Sequence, residues 1–239
     1  VKGLDRSRAL GVALVVFAIA MNAPFTWLSV YFDYPQVLRR GSADVLGLVR
    51  AGGAPLTTAW YSYVLVALAF APIALTLVER LCPEPLRASA RTAGVVAAVA
   101  QAVGLLRWVF VVPVLARIEG DSGLSSAERD AARVSFETLH QMFGVAIGEH
   151  LGQLCTAAWT ALISFGLARR GLPLLAGLGF AVSACLLVGL VEGFATVSEY
   201  DPGALAHATP LGFLALSVWL IALGARLAWP QSEPARSAA

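Results

Sequence analysis

The chain has 239 residues, 58% of them hydrophobic and only 13% charged, with a formal net charge of +2. Its mean hydropathy is +0.75. A soluble domain of this size carries roughly 25% charged residues to solvate its surface, so lipid must replace water over much of this one. The near-neutral balance, with no basic cluster interleaved with aromatics, argues against nucleic acid as a partner. Membrane lipids are the expected surroundings. The length suits one transmembrane domain over residues 1–229, followed by a polar, small-residue tail, 230–239, expected to be disordered.

In chain order, Lys2, Arg6 and Arg8 precede an apolar run in which Ala18-Ile19-Ala20 resembles a cleavage site. The run continues through Trp27 and Phe32, longer than the about 7–15 apolar residues of a signal peptide. A retained first span is therefore expected over about 9–32, broken near Asn22 and Pro24. Residues 33–58 mix Pro35, Leu38, Val45, Leu46, Leu48 and Val49 with arginines and glycines, which predicts a short interfacial helix. A second span follows over about 56–78, opened by Trp60, Tyr61 and Tyr63. Those aromatics fit either an interfacial belt or the wall of a site. A third span covers about 92–115. Ser125 and Glu128 then have capping-box spacing, predicting a helix that runs straight into a fourth span over about 136–168. The fifth covers about 172–193 and the sixth about 208–229. Each reaches the about 20 apolar residues that a bilayer demands. The expected fold is all-α, a polytopic membrane bundle of six transmembrane helices with short interfacial helices on the outer side.

Cys82, Cys155 and Cys185 show no CxxC or metal-ligand spacing and are read as unpaired. No motif calls for a metal or another cofactor, so none is expected. With the N-terminus inside, the cytoplasmic basic residues are Lys2, Arg6, Arg8, Arg80, Arg87, Arg91, Arg169, Arg170, Arg226 and Arg236. The outer ones are Arg39, Arg40, Arg50, Arg117, Arg129 and Arg133. Ten against six favours cytoplasmic termini under the positive-inside rule.

Chemistry is sought among ionisable groups inside spans, each disfavoured there by about 2.5–3.5 kcal/mol. Arg107 lies well inside VAQAVGLLRWVFVVPVLA, about two turns from Gln101. It is read as a ligand anchor or as a structural partner of a carboxylate, with snorkelling the third option. The fourth span holds Glu137, His140, Gln141, Glu149, His150 and Gln153. At α-helical pitch Glu137, His140, Gln141, Gly144 and Gly148 share a side, with Glu149, His150 and Gln153 on a second arc. Glu149 is the expected counter-ion of Arg107. Asn22, Asp33, Tyr34, Glu192, Glu199, Asp201 and His207 add polar groups at the same end. The eight polar side chains of the third and fourth spans are too many for a dry core, so a cavity is expected.

Asp33-Tyr34-Pro35, Trp60-Tyr61, Leu106-Arg107-Trp108, Leu139-His140 and Gly148-Glu149-His150-Leu151-Gly152 together resemble a family of uncharacterised bacterial multi-pass membrane proteins, over most of the chain. The resemblance implies this architecture and no activity.

The leading expectation is a bacterial inner-membrane protein with a periplasm-facing polar pocket for a small anionic or lipid-like ligand. Arg107, His140, Gln101, Gln141, Gln153, Trp60 and Tyr61 would bind it. The rivals are an intramembrane isomerase or cyclase using Glu149, His150 and Glu137, a proton-coupled transporter, and a haem-binding protein.

Overall fold

The structure is a computed structural model that describes residues 2–198 and 203–229. The tail 230–239, Glu199 and Asp201 lie outside the described residues. Those residues form helices α1 (Lys2–Phe32), α2 (Ser42–Leu81), α3 (Arg87–Phe110), α4 (Val112–Glu119) and α5 (Ser126–Leu139). A π-helical stretch, His140–Leu151, follows, and then α6 (Gly152–Arg169), α7 (Pro173–Gly189), α8 (Val191–Ser198) and α9 (Ala208–Ala228). Among the described residues there is no strand. Six helices are long and apolar enough to cross a membrane, as the sequence predicts.

Local chemistry explains the boundaries. Ser125 Oγ accepts from the Glu128 amide while Glu128 returns a bond to the Ser125 amide, so the predicted capping box starts α5. From there the helix is continuous to Arg169, 44 residues. At 1.5 Å per residue that is about 66 Å, roughly twice the hydrocarbon thickness, so α5 extends beyond the apolar band. α2 has 40 residues and is likewise too long to span straight. It bends at Gly53, whose φ of 51° and ψ of -143° only glycine adopts readily. The part before the bend, 42–52, is the predicted interfacial helix.

One expectation is corrected. α1 is not broken at Asn22 and Pro24. Asn22 Nδ2 donates to the Ala18 carbonyl at 2.7 Å, and Thr26 Oγ1 donates to the Asn22 carbonyl at 2.8 Å. These side-chain bonds bracket the turn that Pro24, lacking an N–H, leaves short of one backbone bond.

The spans close into a ring. α1 packs on α2, α2 on α3, α3 on the π stretch and α6, α6 on α7, α7 on α9, and α9 back on α1. One end, here termed proximal, carries the α2–α3 and α6–α7 connections, tied by Arg91–Glu79 and by Arg170 donating to the Arg80 carbonyl. The other, distal end carries the α1–α2 connection, α4, α5 and α8. In the proximal half the ring is filled by a core that includes Leu14, Phe70, Leu77, Trp159, Ile163, Leu186 and Trp219. A second core, around Leu28, Phe32, Leu46, Trp60, Trp108 and Phe136, seats the distal cap on α1, α2 and α3.

Candidate functional site

The distal half of the ring is not filled. A cavity of about 750 Å³ lies there, lined from α1, α2, α3, the π stretch, α6, α8 and α9. That volume is within the roughly 300–1,000 Å³ usual for small-molecule sites. Its floor is aromatic: Phe17 stacks on Phe70 at 5.9 Å, and Phe70 meets Trp159 edge-on at 4.9 Å. Its distal rim holds Tyr34, Pro35, Leu38 and Arg39 from the α1–α2 connection, facing Glu192 and His207. Arg39 Nη2 and Glu192 Oε1 form an ion pair of 2.6 Å across that rim.

Close backbone approach positions the charged group. The π stretch and the start of α6 meet α3 through Gly144, Gly148 and Gly152, spaced four apart. A Cβ on Gly148 would stand 3.0 Å from the Gly104 Cα, so the two helices touch backbone to backbone. A Cβ on Gly144 would collide with the Arg107 guanidinium, so the absence of a side chain there makes room for it. Arg107 is 6% exposed. Its Nη1 donates to the Gly104 carbonyl, and its Nη2 lies 3.3 Å from His140 Nδ1. Because a guanidinium only donates, His140 Nδ1 must accept, so the ring is neutral with its proton on Nε2. The guanidinium carbon stands 5.1 Å from the centroid of the Trp108 ring. Trp108 in turn stacks on Trp60 at 4.9 Å and 8°.

Donors outnumber acceptors around this spot. Arg107 Nε and Trp60 Nε1 are buried without a hydrogen-bond partner among the described residues. Tyr34 also faces the cavity, and burial, more than its neighbour Tyr63 and the Glu149 charge, raises its phenol above the usual range. Its hydroxyl therefore keeps its proton. Glu149 lines the same cavity, and among the described residues it makes no hydrogen bond and no ion pair. The expected direct Arg107–Glu149 pair is absent: the two groups share a cavity rather than a contact.

The predicted residues divide into two sets. Arg107, His140, Gln101, Gln153, Trp60 and Glu149 line the cavity. Two of these have structural duties as well. Gln153 Nε2 donates to the Leu186 carbonyl at 2.6 Å and to Thr209 Oγ1 at 3.2 Å, joining α6, α7 and α9. Gln101 Nε2 donates to Thr156 Oγ1 at 2.9 Å. Glu137, Gln141, His150 and Tyr61 lie outside the main cavity. Glu137 is exposed and accepts from Ser42 Oγ at 2.6 Å. His150 lines a small neighbouring cleft, with its ring 5.0 Å from Phe194. Tyr61 is 45% exposed on the outside of α2. Thr156 and Thr209, which sequence reasoning missed, line the cavity; a threonine in an apolar span carries no signal of its own.

A family model described as a domain of unknown function, DUF4386, matches residues 9–224. The chain belongs to the DUF4386 family. No curated protein and no solved structure matches it. Within this DUF4386 chain, the matched residues include all six spans' apolar centres and every cavity-lining residue named above.

Proposed function

We propose that this DUF4386 protein is a membrane-embedded binding protein for a small anionic or lipid-like ligand, anchored by Arg107 in the distal cavity. One observation carries the reading: a buried guanidinium lines the cavity with no carboxylate contact among the described residues, and its Nε has no partner there. A planar, permanently charged fork suits a carboxylate or phosphate, which it can bind through two parallel bonds. The Tyr34 hydroxyl, on the same cavity, would supply a further donor. Under the proposed orientation, in a bacterial inner membrane with the termini cytoplasmic, the cavity faces the periplasm.

The test is identification of what the protein carries. Gently purified protein analysed by native mass spectrometry should retain an anionic small molecule or lipid, and Arg107→Met protein should lose it. An Arg107→Met protein that keeps the same adduct would defeat the reading.

Acid–base catalysis is the second reading, and unpartnered Glu149 on the same cavity as neutral His140 favours it. A carboxyl group in a poorly solvated cavity is the residue type for proton transfer. The two readings separate on Glu149→Gln, which removes a proton donor but leaves the cationic anchor in place.

A further inference from the structure

The ligand's route follows from where the cavity wall is thin. α1 and α9 are tightly joined at their proximal ends, where a Cβ on Gly11 would stand 2.6 Å from the Ala228 nitrogen. They are joined again mid-membrane, where Asn22 Nδ2 donates to Ser217 Oγ at 2.8 Å. Distal to that bond, Phe25 of α1 and Leu211 and Leu214 of α9 all line the cavity. Leu211 and Leu214 are nevertheless 56% and 55% exposed, alongside the outward-facing Val30 and Val218. Two leucines three apart share one helix face. Side chains that line a cavity and also face outward mark an opening, and this one faces the apolar surface. The distal mouth, by contrast, is crossed by the Arg39–Glu192 pair.

We infer that the cavity is reached sideways from the bilayer between α1 and α9, and that its occupant is a single-chain amphiphile with an anionic head. This rests on the anion-anchoring reading above. The head sits at Arg107, and the chain runs past Phe25, Phe213 and Leu214 towards lipid. Leu211 and Leu214 lie within two turns of the start of α9, near the headgroup level, where such a molecule already rests. An anionic amphiphile sliding in keeps its tail in hydrocarbon throughout. A fully polar anion would have no reason to approach through leucines.

The experiment uses full-length protein in phosphatidylcholine nanodiscs, with Trp27→Phe and Trp229→Phe removing the more accessible tryptophans and the three native cysteines replaced. A dibrominated stearate is the probe, and quenching of the four remaining buried tryptophans, Trp60, Trp108, Trp159 and Trp219, is the readout. Saturable quenching is expected, with affinity falling about tenfold or more in Arg107→Met, the loss of one charged hydrogen bond. Arg39→Cys with Glu192→Cys, bridged by a bifunctional thiol reagent, locks the distal rim and should leave the quenching rate within about twofold. Leu211→Glu, and independently Leu214→Glu, should slow it by about tenfold, because a like charge at the rim acts on association. Dodecyl phosphate as competitor separates the head groups: displacement extends the site to phosphate, and its failure assigns it to carboxylate, both within the proposal. If locking the rim abolishes quenching while both glutamates leave it unchanged, the lateral route is overturned and the anion site stands. If stearate gives no saturable quenching but inorganic phosphate or acetate raises the melting temperature through Arg107, the amphiphile is overturned alone. No Arg107-dependent response to any probe overturns both readings.

Discussion

A guanidinium 6% exposed inside a membrane bundle, with no carboxylate touching it, is held by weak substitutes: one carbonyl, one imidazole nitrogen and one indole face. Replacing even a buried ion pair with apolar side chains of similar volume is often neutral or stabilising by about 1–4 kcal/mol, and a guanidinium without a carboxylate contact has less attraction to lose. Arg107→Met should therefore unfold at the same temperature as the natural protein or higher, while anion binding is lost. A fall of several degrees in a thermal melt would mean that a strong partner holds the group. The same geometry couples Arg107 and Glu149 through a shared cavity rather than through a contact. Arg107→Met with Glu149→Gln should therefore depart from the sum of the single effects by about 0.5–3 kcal/mol in a thermal-melt cycle, and strict additivity would show that neither group feels the other. On ligand, Glu149→Gln should tighten anion binding, since a carboxylate facing the same cavity opposes it; weaker binding would point to a ligand that also carries a cation. Arg107 was legible in the sequence because charge in an apolar run has few bland explanations. Its partners were not, because spacing along two helices says nothing about which turn meets which.

At the level of elements, the six spans, the capping box at Ser125 and the helix at 42–52 were legible because hydropathy, capping and chain length each act locally. The face of the fourth span was not. A wheel drawn at 100° per residue groups Glu137 and Gln141 with His140, but His140–Leu151 is π-helical, with wider turns and fewer degrees per residue. The register therefore drifts beyond His140 and brings Glu149 to the cavity, whereas Glu137, on the α-helical turn before the stretch, is exposed and accepts from Ser42. No composition signal announces a π stretch. The glycines that accompany it are testable. Gly104→Ala would bring a Cβ to 2.7 Å from the Gly148 Cα, a backbone contact that cannot swing away. Overpacking of this kind costs about 1–3 kcal/mol, and a lowered melting temperature should report it. The bend in α2 offers a cleaner comparison. Around both Gly53 and Gly47 an added Cβ meets nothing within 4 Å, so only backbone conformation distinguishes them. Gly53→Ala should destabilise by about 1–3 kcal/mol, because its φ is positive. Gly47→Ala, inside regular helix, should be neutral or stabilising by about 0.5–1 kcal/mol.

For the whole molecule, the ring accounts for a cavity at one end and a packed core at the other, and orientation decides which compartment the cavity serves. At the distal end Arg39, Arg40, Arg50 and Arg133 each pair with a carboxylate: Glu192, Asp33, Glu119, and Glu119 with Asp130. Such pairs at exposed positions add only about 0–1 kcal/mol each, so they do not explain why those arginines are there. They do explain how basic residues are carried at an end that the charge bias would otherwise leave poor in them. The bias itself counts Lys and Arg in short connections, with little weight for acids. Arg80, Arg87 and Arg91 cluster at the α2–α3 connection and Arg169 and Arg170 at the α6–α7 connection, both proximal. The proximal end is therefore expected in the cytoplasm. Alkaline phosphatase fused after Arg91 or Arg170 should be inactive, and fused near Gly123 or Gly203 it should be active. The reversed pattern would leave the ring and the Arg107 cavity as they are, but turn the cavity's mouth to the cytoplasm. The anionic ligand would then have to be sought among the solutes and inner-leaflet lipids of that side.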